Sequence, residues 1–138
     1  VTHLLDTSAV LAHLLDEPGA EEVEEILLRG RGDVALAAPV WAELHGRLGQ
    51  LIPDETERGR IFRHYSETTC LFIPVDEAAV LAAVRIRQSC PGRLPLMDAL
   101  IAGCAAAHGL VLVHRDRHMD GIPASELSML RLPDKLRG

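Results

Sequence analysis

The apolar positions of this chain follow two rhythms: short unbroken runs, and longer stretches in which they recur every three or four residues. Leu4-Leu5, Val34 to Ala37, Cys70 to Val75, Leu110 to Val113 and Met129 to Leu132 are the runs. Each predicts a strand, and that over Cys70 to Val75 reads as a buried one. The intervening stretches predict helices. The first runs from Ala9 to Leu15, after a turn at Thr7-Ser8, and Asp16-Glu17-Pro18-Gly19 then breaks the chain. Ala20 to Arg29 sets Val23, Ile26 and Leu27 opposite Glu21, Glu22, Glu24 and Glu25, an acidic cluster that reads as a solvated face. Pro39 opens the next helix toward Leu51, where a missing N–H costs nothing, and Pro53-Asp54 restarts a more polar one through about Ser66. Asp76 caps an amphipathic helix over Glu77 to Gln88. Leu96 to His108 is rich in alanine and contains Gly103, so it must pack closely on a neighbour, and Gly109 ends it.

Strands alternating with helices imply a mostly parallel sheet covered on both faces, so the expected fold is α/β, a three-layer α/β/α sandwich. With 138 residues and no repeat or linker, the whole chain reads as one domain. No apolar run approaches the roughly 20 residues of a membrane span, and no basic segment precedes a longer apolar stretch at the N-terminus. Cys70, Cys90 and Cys104 are odd in number and form no close pair, which suits a reducing compartment. The expectation is a soluble cytoplasmic protein.

Four acids stand where an apolar element hands over to a ligand-facing edge. Asp6 ends the first strand, Asp116 follows the fourth, Asp98 lies in the first turn of the alanine-rich helix, and Glu43 is early in its own helix. In open α/β sheets, ligands bind beyond the carboxyl ends of the strands where strand order reverses. Gathering four carboxylates is costly: one like-charged pair at 4 Å and an effective dielectric near 20 opposes folding by about 4 kcal/mol. Such a cluster needs a cation, and oxygen ligands without nearby cysteine favour Mg²⁺ or Mn²⁺ over zinc. Phosphodiester hydrolysis is the chemistry such a site supports. Each acid also has an ordinary reading, as a cap, a first-turn acid, a solvated helix residue or a loop residue.

The formal charge of −6 argues against a nucleic-acid partner only until these four are set aside, which leaves −2. Thirteen of the fourteen basic residues are arginine, suited to bidentate phosphate contacts, although a genome rich in G and C favours arginine codons anyway. Arg93, Arg115 and Arg117 fall in loops near the expected edge and are candidates for holding RNA phosphates. One Trp, one Tyr and two Phe leave no aromatic platform for stacking bases. His114 and His118 frame Asp116 and suggest zinc, but their spacing suits one face of a helix, whereas this segment begins at a strand end.

Leu4-Leu5-Asp6-Thr7-Ser8-Ala9, Glu43, Met97-Asp98-Ala99-Leu100-Ile101-Ala102 and Val113-His114-Arg115-Asp116 together resemble the PIN-domain ribonucleases in order, spacing and context across essentially the full chain. Within that family, the short length is most similar to the VapC-type toxins of bacterial toxin–antitoxin pairs. The resemblance implies Asp6, Glu43, Asp98 and Asp116 as the metal-binding acids, Asp6 and Asp98 directly and the others directly or through water. It implies that Ser8 holds a metal-bound water or the first acid. It also implies an RNA substrate, a transfer RNA or ribosomal RNA loop, a homodimeric toxin and a cognate antitoxin that plugs the groove. The chain departs from the pattern at His114, where the family has Thr or Ser; an imidazole is also able to supply the hydrogen bond expected there. The helices around Trp41, Leu44, Leu48, Leu51, Ile52 and Ile61 are a candidate antitoxin surface, with core packing the alternative fate of these side chains.

Two rival readings fit part of the same pattern. A haloacid-dehalogenase-like phosphatase would use Asp6 as nucleophile. It needs an aspartate where this chain has Ser8, and an active-site lysine, whereas the only lysine is Lys135. A non-catalytic module that binds RNA or a partner is the other, opposed by the presence of all four acids.

Overall fold

Among the described residues five strands pair side by side in the order β3-β2-β1-β4-β5, every pair parallel. They are β1 (His3–Leu5), β2 (Val34–Ala37), β3 (Leu71–Ile73), β4 (Val111–His114) and β5 (Met129–Arg131). The computed structural model describes residues 2–30, 32–69 and 71–135. Cys70, at the start of the third apolar run, lies outside them. Among the described residues six α-helices connect the strands: α1 (Thr7–Leu14), α2 (Ala20–Arg29), α3 (Ala38–Leu51), α4 (Glu55–Thr68), α5 (Glu77–Ser89) and α6 (Leu96–Ala107). None of the helices described is long and apolar enough to cross a membrane.

The chain steps outward from β1 to β2 to β3, then returns across the sheet to β4 on the other side of β1. Right-handed crossovers then place α1 to α4 on one face and α5 and α6 on the other, which is the expected α/β/α sandwich. Strand order reverses between β1 and β4. Leu5 is level with Val113 in their register, and the Asp6 N–H donates to the Val113 carbonyl at 2.9 Å. The chain therefore leaves both strands at the same height, which brings the segments after residues 5 and 114 together.

The core follows the apolar runs. Leu4, Leu5, Leu112, Val113 and all of β2 are buried, as expected for strands covered on both sides. Asp76 caps α5 by accepting the Ala79 N–H at 2.9 Å, and Gly109 closes α6 at φ +65°. Cys104 is buried, and that burial pushes its thiol up to about 11; Cys90 is half-buried. The glutamates of α2 face solvent, but Glu24 also pairs with the His13 ring, whose Nδ1 lies 2.6 Å from the Tyr65 hydroxyl. That contact ties α1, α2 and α4 together.

Three expectations change in the fold. β3 lies at the sheet edge with Phe72 60% exposed, because an edge strand has one neighbour and less cover. Phe72 stacks on Trp41, which also meets Phe62, so an aromatic cluster forms that composition alone did not suggest. In α5, Ala79, Ala82, Ala83 and Ile86 face inward, while Val80, Leu81 and Val84 remain exposed; its apolar residues lie on both faces. Of the candidate antitoxin surface, Leu44, Leu48 and Ile61 belong to the core, Trp41 and Ile52 pack against it, and Leu51 is exposed.

Gly103 explains the close fit of α6. A Cβ there would stand 2.3 Å from the Ala79 carbonyl oxygen and 2.9 Å from the Ala83 nitrogen, both backbone atoms of α5. Neither is able to swing aside as a side-chain tip does. Gly103→Ala is therefore expected to separate the two helices and lower stability by about 1–3 kcal/mol. Urea denaturation checks this, and an unchanged midpoint would contradict the packing.

Candidate metal centre

Asp6 leaves β1 and caps α1, with extended backbone angles and its carboxylate accepting the Ser8 N–H. The helix therefore begins at Thr7, earlier than the sequence pattern suggests, because the acid itself supplies the cap. Asp98 lies in the first turn of α6, and Asp116 caps the short 3₁₀ turn Arg117–Met119 by accepting the His118 N–H at 2.9 Å. Two acids thus sit at α-helix N-termini, where unpaired N–H groups favour negative charge. Glu43 projects from α3 and accepts the Thr7 hydroxyl at 2.8 Å.

These acids feel one another. Burial, opposed by the Ser8 hydrogen bonds and supported by the charges of Asp116 and Glu43, raises the Asp6 carboxyl to about 6. Asp98 is raised to about 7, first by burial and then by Asp116, Asp6 and Glu43, with His118 opposing. Four segments far apart in sequence therefore build one concentration of negative charge. Asp98, Asp116 and His118 come closest, with one ligand atom from each lying within 4.8 Å of the others. His118 Nδ1 is 3.2 Å from Asp116 Oδ1 and 3.7 Å from Asp98 Oδ2.

Ser8 binds across the gap between the two strands. Its hydroxyl donates to Asp6 Oδ2 at 2.6 Å and accepts the Arg115 N–H at 2.9 Å. It thus touches the first acid itself and fixes the chain leaving β4. His114 is buried, and burial lowers its pKa, so the ring is neutral near pH 7. Its Nδ1 accepts the Asp116 N–H at 3.1 Å, which puts the ring proton on Nε2. A hydroxyl two places before the acid is able to accept that same bond, so the imidazole preserves the turn. With that nitrogen engaged, His114 does not join His118 in a zinc pair.

Arg115 and Arg117 border a cavity of about 540 Å³ beside Asp116, whereas Arg93 is exposed ahead of α6 and does not line it. Thr7 enters the site without having been singled out, and His118, read from the sequence only as half of a zinc pair, enters it beside Asp98 and Asp116. Thr7 lacked any local signal, since its partner is 36 positions away. His118 had one: two places after Asp116, it falls within reach of that acid once the strand ends in a tight turn.

The donor set suits a divalent cation. It is mainly carboxylate oxygen, it is partly buried, and two of its acids are pushed toward protonation by burial and mutual repulsion, which a bound cation relieves. Fold and site together define a parallel α/β protein with a carboxylate-rich centre at its topological switch point. The PIN domain family matches residues 3–124, and the chain belongs to that family.

Solved structures agree on the fold. VapBC2 from Rickettsia felis, bound to a DNA fragment from its promoter, has a TM-score of 0.75 at 17% identity and covers 96% of this chain and 100% of the other. DNA-bound VapBC from Salmonella typhimurium has a TM-score of 0.76 at 18% identity, over 95% and 98%. VapBC-5 of Mycobacterium tuberculosis, from the VapBC family of toxin–antitoxin systems, has a TM-score of 0.66 at 24% identity, over 94% and 98%. Identities this low show a shared fold. No curated protein matches the sequence.

Proposed function

We propose that this chain is a single-domain, Mg²⁺- or Mn²⁺-dependent endoribonuclease, acting as the toxin of a toxin–antitoxin pair. The observation that carries the reading is the meeting of Asp6, Glu43, Asp98 and Asp116 at the switch point of a PIN-family sheet. Asp98 and Asp116 hold the cation, His118 lies within ligand reach, and Asp6 and Glu43 complete the charge around it. A bound Mg²⁺ or Mn²⁺ would lower the pKa of a water and neutralise charge on the departing oxygen. Ser8 keeps Asp6 oriented by donating to it, and Thr7 does the same for Glu43. The phosphatase reading is disfavoured, since Ser8 stands where that family needs a second aspartate and Lys135 pairs with Glu17 at 3.2 Å.

The partners in this reading are RNA, a transfer RNA or ribosomal RNA, a cognate antitoxin and a second copy of the chain in a cytoplasmic homodimer. Toxin–antitoxin complexes among the similar folds support the antitoxin, and the exposed Val80, Leu81 and Val84 on α5 support a protein contact. The test is cleavage of total cellular RNA by purified, antitoxin-free protein with Mg²⁺, with Mn²⁺ and with EDTA. Discrete fragments in the two metal arms and none with EDTA are expected, and their ends name the substrate. Folded, metal-loaded protein that leaves every RNA intact would transfer support to a binding module.

A further inference from the structure

Beside the acids lies a cavity of about 540 Å³ in which basic groups join them: Arg115, Arg117, His118 and Lys135 line it together with Asp116 and Asp134, with Ser8 at the end next to Asp6. Arg115 is the built element. Its side chain is 10% exposed, its Nη2 donates to Glu17 at 3.0 Å, and its backbone N–H is held by Ser8. Nη1 is buried without a hydrogen-bond partner among the described residues. Buried donors are almost always satisfied, and an unmet one in a native fold calls for an acceptor from elsewhere.

The nearby acids do not fill that role. Glu17 spends its oxygens on Arg115 and Lys135, Asp134 pairs with Arg131 at 2.8 Å, and Asp116 is turned to His118. Arg117 and Lys135 are exposed and form the outer wall, Lys135 paired with Glu17 at 3.2 Å. Glu17 alone is shared by Arg115 and Lys135, and Arg117 has no ion-pair partner among the described residues; phosphate oxygens match a guanidinium in both charge and geometry.

We infer that this cavity is a phosphate subsite, in which buried Arg115 and exposed Arg117 and Lys135 hold a phosphodiester of the RNA strand next to the one cleaved at the acids. The inference rests on the ribonuclease reading and adds what positions the strand. Contacts of this kind set register without reading bases, so they act equally on every sequence.

The test is fluorescence-anisotropy binding of a short mixed-sequence single-stranded RNA over a range of salt, on an Asp98→Asn background that prevents cleavage. Arg115→Gln and Arg117→Gln are each expected to weaken binding about tenfold at low salt and to lower the salt slope by about 0.7, the share of one phosphate on a single strand. Arg29→Gln, at an exposed α2 residue paired with Glu25, is expected to change neither. Arg117 is exposed, so its variant stays informative should Arg115→Gln fail to fold. Unchanged slopes in folded Arg115→Gln and Arg117→Gln, from a parent that binds RNA and cleaves it when Asp98 is restored, overturn the subsite and leave the ribonuclease reading standing. A parent that binds no RNA overturns both.

Discussion

Asp98→Asn is expected to reduce metal-dependent RNA cleavage by at least about 100-fold while making the metal-free protein more stable. The loss follows from its proposed place as a ligand: groups one bond further from a metal already cost 10–100-fold when removed, and a direct carboxylate costs more. The gain follows from repulsion. Asp98 is half-buried among Asp116, Asp6 and Glu43, and those charges help raise its carboxyl to about 7. Asparagine keeps the shape and removes the charge. At pH 8 in EDTA the variant is expected to gain on the order of 1 kcal/mol, or roughly 3 °C in Tm for a chain of this size. Opposite signs in cleavage and stability mark a site built for a ligand at the expense of the fold. Loss of both would indicate a structural role for Asp98, and retention of cleavage would remove it from the centre.

The second large effect is a pH dependence that a metal reverses. Asp6 and Asp98 move from the ordinary 3.8 to about 6 and about 7 in the folded chain, mainly through burial. A carboxyl with a raised folded-state pKa binds its proton more tightly when folded. Its contribution to stability is complete below the unfolded pKa and is lost as pH rises through the folded one. For metal-free protein, Tm is therefore expected to fall between about pH 4 and pH 7. In the proposed centre a divalent cation would bind only the ionised, assembled cluster, so saturating Mn²⁺ is expected to raise Tm little at pH 5 and strongly at pH 8. Thermal unfolding in EDTA and in Mn²⁺ across this range checks both halves. A Tm in EDTA that climbs over the same interval would show that burial does not penalise these acids, and an absent Mn²⁺ effect at pH 8 would show that they bind no cation.

Much of this architecture was legible in the chain. The runs at Leu4-Leu5, Val34 to Ala37 and Leu110 to Val113 became the three central strands, and α2 kept its expected bounds. Strands buried on both faces must be apolar throughout, so they announce themselves locally. Asp76 and Gly109 did the same for the ends of α5 and α6, because capping is a matter of adjacent residues. The exposed Phe72 and the apolar outer face of α5 were not legible, since an apolar residue carries no mark of whether a neighbour will cover it.

The sequence by itself therefore determined the alternation of strand and helix, the tight fit required of α6, and the four acids at the ends of apolar elements. Each depends on neighbours within a few positions. Only the tertiary structure decided which groups meet: Thr7 with Glu43, Ser8 with the Arg115 backbone, His118 with Asp98 and Asp116, and Arg115 with Glu17. All four depend on contacts 20 to 107 positions apart. They form because the β1–β4 register brings two strand ends to one height. No local pattern encodes that register, which comes from burying both strands against the same helices. The raised carboxyls of Asp6 and Asp98 have the same origin, since burial and charge repulsion exist only once the sheet has closed.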